Sequence, residues 1–135
     1  MTRYVIDART LLEIVDSELP LDPAHQLVAP SFIRSEALQL LLAEVRRGER
    51  TDRAALASHD RMTELKMRLL GDRVSRRTAW NIAREHGWET LREAEYLAVA
   101  RLQADALVTG DPELAGKAHG IVALAPIEVL SQQPA

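Results

Sequence analysis

The chain of 135 residues contains no cysteine. That excludes a disulfide framework, a thiolate nucleophile, a zinc–thiolate centre and an iron–sulfur cluster. Aromatic residues are scarce at 4%, which argues against a stacking platform for single strands. Positive charge is not in excess either. The 17 basic residues face 20 acidic ones, a net charge of −3, so the chain is not a generic basic nucleic-acid binder. No apolar stretch reaches the roughly 18 residues of a membrane span, and Met1-Thr2-Arg3-Tyr4 opens no apolar leader run. A cytoplasmic protein is expected. HExxH, GxGxxG, Walker and GxSxG patterns are missing. His25, His59, His86 and His119 show no ligand spacing.

What is present is an ordinary globular composition, 47% apolar and 27% charged, in one domain's length of chain. Tyr4-Val5-Ile6, Leu27-Val28-Ala29, Ala106–Thr109 and Ile121–Leu124 read as short buried strands. Helices are expected over Ala8–Ser17, Phe32–Arg47, residues 52–70, Ser75–His86 and Leu91–Ala104, with a short one opened by Asp111-Pro112. Pro20 and Pro23 break the chain after the first helix. Short apolar strands alternating with helices imply an α/β fold, a short parallel sheet between two helical layers. One domain is expected over residues 1–131, with a flexible tail at 132–135.

Four acids carry the functional argument. Asp7 ends the first strand, and Asp111 follows the Ala106–Thr109 strand. In an open parallel sheet ligands bind beyond the carboxyl ends of the strands, so the two converge if those strands run the same way. Each also suits a plain helix N-cap. Glu36 lies within the apolar stripe of Ile33, Ala37, Leu40 and Ala43, and Glu93 precedes Tyr96, Leu97 and Ala100 at helical spacing. A charge on a core face needs compensation. It comes either from a buried pair with Arg34 or Arg92, from a lean toward water, or from a shared cation. Clustered carboxylates suit Mg²⁺ or Mn²⁺ rather than zinc, and such ions activate water against phosphodiesters. On this view, removing one acid is neutral or stabilising in metal-free protein.

The runs Val5-Ile6-Asp7-Ala8, Pro30-Ser31-Phe32-Ile33-Arg34-Ser35-Glu36, Glu93-Ala94-Glu95-Tyr96-Leu97-Ala98-Val99-Ala100 and Leu107-Val108-Thr109-Gly110-Asp111 together resemble PIN-domain ribonucleases, most of all the VapC-type toxins of toxin–antitoxin pairs. The resemblance covers residues from about Arg3 to Leu130. It implies a PIN-like fold, an Mg²⁺- or Mn²⁺-dependent endoribonuclease that cleaves RNA, a VapB-type antitoxin that covers the acidic groove, and a homodimer. It carries Asp7, Glu36 and Asp111 over as catalytic, metal-holding acids, with Glu93 in the third acid's place. Two positions depart from the family. Glu93 stands where Asp is usual, so it is expected to be a weaker or water-mediated ligand. Arg9 stands where a small polar residue is usual; it would hold a substrate phosphate, occupy the acidic site, or face solvent. Thr109, placed with Arg9 on the substrate side of the site, either hydrogen-bonds a carboxylate or a metal-bound water or is a plain strand threonine. These departures leave a catalytically weak RNA- or protein-binding module as the second reading. A phosphatase or response-regulator-like domain fits less well, because no second acid adjoins Asp7.

Charge is unevenly spread. Residues 46–77 hold ten basic and five acidic side chains, a local charge of +5. Such a region suits either a phosphate backbone or a solvated helical surface. Trp80 and Trp88 are expected to pack in the core or at an interface.

Overall fold

The computed structural model describes residues 1–131; the tail expected at 132–135 lies outside the described residues. The chain runs β1 (Thr2–Ile6), α1 (Ala8–Ser17), β2 (His25–Pro30), α2 (Ile33–Arg46), α3 (Asp52–Glu64), β3 (Arg68–Leu70), α4 (Arg73–His86), α5 (Arg92–Gln103), β4 (Ala106–Val108) and α6 (Pro112–Ala118), then a 3₁₀ turn at Ile127–Leu130. The four strands form one parallel sheet in the order β3-β2-β1-β4. The fold is the three-layer α/β/α arrangement expected from the alternation of elements.

Strand periodicity sorts the apolar side chains onto two faces. Ile6, Leu27, Ala29 and Val108 join α1, α2 and α3 in one core. Val5, Val28 and Leu107 join α4, α5 and α6 in the other. The order of the strands reverses direction at β1, where β2 lies to one side and β4 to the other. The register Ile6↔Val108 brings the ends of β1 and β4 level, so the residues that follow them share one edge.

Two expected elements differ. Residues 52–70 do not form one helix. α3 stops at Glu64, Leu65 turns extended, and Arg68–Leu70 pairs with Val28–Pro30 as β3. The intrinsic helical preference of Leu, Lys, Met and Arg yields to the open edge of β2. Ile121–Leu124 is not a strand. The amides of Ile121 and Val122 both turn back to the Ala118 carbonyl, and only Leu124 bridges Leu107.

Arg50, in the loop between α2 and α3, ties one helical layer together. Its guanidinium donates to Glu44 Oε2 at 2.7 Å, Asp16 Oδ2 at 2.8 Å and Ser58 Oγ at 2.8 Å, which belong to α2, α1 and α3. The Arg50 bond holds the Asp16 carboxyl below the usual carboxylate range. That stabilisation is complete above the ordinary pKa of 3.8 and fades as pH falls through the lower folded value. An Asp16→Asn variant should therefore show a shallower loss of thermal midpoint on acidification than the native chain.

Leu107 is fully buried, whereas Leu124 is 46% exposed. Leu107→Ala should lower the free energy of urea unfolding by about 2–5 kcal/mol, and Leu124→Ala by no more than about 0.5 kcal/mol. Equal losses would mean that Leu124 lies on a buried strand after all.

Candidate functional site: four acids at the carboxyl edge of the sheet

In a parallel sheet each connecting helix starts where its strand ends. α1, α2 and α6 accordingly present their first turns at the carboxyl edge; α5, which leads into β4, ends at the opposite edge and so also begins at this one, and each of the four contributes one acid. Asp7 is the N-cap of α1, Glu36 and Glu93 lie in the first turns of α2 and α5, and Asp111 is the N-cap of α6. The partial positive charge of helix N-termini favours carboxylates there. The cap role considered for Asp7 and Asp111 is thus realised, and it fixes where their second oxygens point.

Asp7 is fully buried. Its Oδ1 accepts the Thr10 amide at 3.0 Å, and its Oδ2 accepts the Thr109 hydroxyl at 2.5 Å. The same Thr109 oxygen accepts the Asp111 amide at 3.0 Å. Thr109 therefore links the two strand-end acids and is more than a β-former. Asp111 Oδ1 caps the Glu113 amide at 3.0 Å, which leaves Oδ2 facing the cluster.

Glu36 meets Arg92, one of the two arginines weighed as its partner. Arg92 donates Nε to Oε2 at 2.9 Å and Nη2 to Oε1 at 2.8 Å, and the Tyr96 hydroxyl adds a bond to Oε1 at 3.1 Å. The other end of the guanidinium, Nη1, lies 3.5 Å from Glu93 Oε1 and 4.0 Å from Asp111 Oδ2. Burial disfavours the Arg92 charge, but the bonds to Glu36 outweigh it and raise the pKa. Burial and the Glu36 charge likewise push the Tyr96 phenol up, so its proton stays to be donated. Glu93 is buried and also lies 3.7 Å from Lys117 Nζ.

The sequence-derived residues divide accordingly. Asp7, Glu36, Glu93, Asp111 and Thr109 come together. Arg9 is exposed on the first turn of α1 and pairs with none of the acids among the described residues. Arg92 and Lys117 were not singled out as members of the site. The signal for Arg92 was its position next to Glu93; Lys117 carried none, because its approach depends on how α6 sits against α5.

The donor atoms are carboxylate and hydroxyl oxygens, which in kind suit a hard divalent cation. Their spacing is another matter. Among the described residues no three His, Cys, Asp or Glu side chains stand together as a metal-binding group, and the Arg92 guanidinium stands beside Glu36, Glu93 and Asp111. An open cavity of about 490 Å³ lies elsewhere. Its lining includes His25, Gln26 and Arg68, at the amino ends of β2 and β3, away from the acids.

Much of the basic segment is engaged internally: Arg50 as above, Arg47 with Glu49, and Arg61 with Ser58 and Asp16. α4 offers a different face. Its buried side is Ser75, Ala79, Ile82 and Ala83, so Arg73, Arg77, Trp80 and Arg84 point outward. Trp80 is 59% exposed, which sets aside the core role, one of the two expected of it. Trp88 is half-buried, stacked on His86 with centroids 5.0 Å apart and beneath Lys117 Nζ at 5.1 Å.

No family model and no curated protein matches the chain. Among solved structures it is similar to PAE2754 from Pyrobaculum aerophilum, with a TM-score of 0.71 and 26% identity over 95% of this chain and 91% of that one.

The Arg92 fork reverses one expectation. Without metal, Glu36→Gln should destabilise the chain by about 1–2 kcal/mol, because it breaks charge-assisted bonds and strands a guanidinium. Asp7→Asn preserves the cap and should shift stability by less than about 1 kcal/mol. Urea unfolding in EDTA measures both.

Proposed function

We propose that this chain is a divalent-cation-dependent endoribonuclease, the activity implied by its resemblance to PIN-domain ribonucleases of the VapC type. The observation that supports it best is the convergence of Asp7, Asp111, Glu36 and Glu93 from four elements on the edge where the strand order reverses. Ligands of parallel α/β sheets bind at such crevices. Asp7, Asp111, Glu36 and Glu93 would hold Mg²⁺ or Mn²⁺, and the bound ion would supply a polarised phosphate and an activated water. Thr109 fixes the Asp7 carboxylate so that it loses little freedom on binding. Lys117, beside Glu93, is placed to take a phosphate oxygen. Arg73, Arg77, Trp80 and Arg84 on α4 form an outward track of charge and one aromatic face, a combination suited to single-stranded RNA.

A second reading draws on the guanidinium among the acids and on the lack of a three-acid metal group among the described residues: a PIN-like module that binds RNA or protein and cleaves poorly. A VapB-type antitoxin, a homodimer and a cytoplasmic location belong to the first reading. The groove between α2 and α3, lined by Leu38, Leu42 and Leu56, all exposed, supports an apolar helical partner. No helix among the described residues is long and apolar enough to cross a membrane.

The test is cleavage of labelled single-stranded RNA with Mg²⁺ or Mn²⁺ against EDTA. Asp7→Asn should cost at least about a hundredfold in rate. Glu93→Asp should keep or raise the rate, and the double variant Arg77→Ala/Arg84→Ala should raise KM with little change in kcat. RNA binding without cation-dependent cleavage would establish the second reading instead.

A further inference from the structure

We propose that Arg92 is a built-in occupant of the acid site, a guanidinium that neutralises Glu36, Glu93 and Asp111 in the resting chain and competes with a divalent cation for them. This rests on the reading of the four acids as a cation site. Three observations carry it. The fork to Glu36 engages both carboxylate oxygens, at 2.8 and 2.9 Å, and the Tyr96 hydroxyl adds a bond to Oε1, so a cation must compete with charge-assisted bonds for this carboxylate. The remaining nitrogen reaches toward Glu93 and Asp111, at 3.5 and 4.0 Å, so a single side chain touches three of the four acids. Among the described residues no three acids stand together as a metal-ready group, and the Arg92 guanidinium is the cation that three of them share.

Arg92 also has a way out of the site. Arg92 is 34% exposed, so its head has a route to water, and it lies over the Tyr96 ring at 5.7 Å, a contact of modest strength. Arg9, the arginine that the sequence offered for such a role, is exposed and takes no part. Lys117 differs from Arg92 in kind. Of the four acids it approaches only Glu93, and it pairs also with Glu113, so it adds charge nearby without standing between the carboxylates.

That difference gives the experiment its control. Mn²⁺ binding is measured by titration calorimetry on the native chain, Arg92→Gln, Arg92→Lys and Lys117→Gln, with thermal midpoints in EDTA and in Mn²⁺. Arg92→Gln should tighten Mn²⁺ binding about tenfold or more, lower the midpoint in EDTA and enlarge the rise that Mn²⁺ produces. Lys117→Gln removes the same charge and should tighten binding only about two- to threefold. Arg92→Lys keeps the charge but loses the fork; its affinity should fall between those of the native chain and Arg92→Gln, and it serves if Arg92→Gln does not fold. Unchanged or weaker Mn²⁺ binding in both Arg92 variants overturns the proposal, as does an equal gain in Lys117→Gln, which would reduce Arg92 to general charge. RNA cleavage is followed on the same samples. Tighter Mn²⁺ binding without cleavage supports the competition and overturns the nuclease reading. Cleavage by the native chain with affinity insensitive to Arg92 does the reverse, and no Mn²⁺ binding by any variant overturns both.

Discussion

Four carboxylates gathered at one edge of a sheet repel one another, and the chain resolves this with Arg92. The fork from Arg92 to Glu36 joins α5 to α2, helices that lie on opposite faces of the sheet. Phe32, at the head of α2, also meets Tyr96 of α5 edge to face, with ring centroids 5.5 Å apart. The polar edge is therefore also where the two layers are fastened together. The helix N-termini assembled there offset part of the negative charge, and Thr109 and Tyr96 satisfy further oxygens. Whatever enters the edge must exchange places with interactions that already hold the layers in register.

The sequence made much of this legible because its signals were local. Val5-Ile6 before Asp7, and Leu107-Val108 before Asp111, announce strands that end in a cap, and a shared parallel direction then places both acids on one edge. Glu36 and Glu93 stood out because a charge within an apolar stripe needs a partner. What was not legible depended on distant contacts. Arg68–Leu70 became a strand because β2 had an open edge. Ile121–Leu124, rich in β-formers, failed to become one because its amides were already committed to the turn after α6. Trp80 was assigned to packing on its residue type, whereas the buried side of α4 runs through Ala79 and Ile82 and leaves the indole outside. Arg92 was visible as a possible counter-ion of Glu36; its reach to Glu93 and Asp111 required the packing of α5 against both β1 and α6.

The resemblance of the solved PAE2754 structure extends over nearly the whole chain, which ties the three-layer architecture to a shared framework rather than to the acid edge alone. Within that framework the cavity of about 490 Å³ sits at the amino ends of β2 and β3, at the opposite edge from the acids that Arg92 pairs with.

The threonine between the two strand-end acids has one further consequence. Its hydroxyl has a single proton, given to Asp7, while its oxygen receives the amide of Asp111. Hydrogen bonds in series polarise one another. Any change in the charge on Asp7 is therefore transmitted to one backbone amide, that of the α6 N-cap. That amide is a built-in spectroscopic reporter. In a nitrogen–proton correlation spectrum, the resonance of residue 111 reads the electrostatic state of the buried carboxylate without an attached probe, a substrate or a substitution.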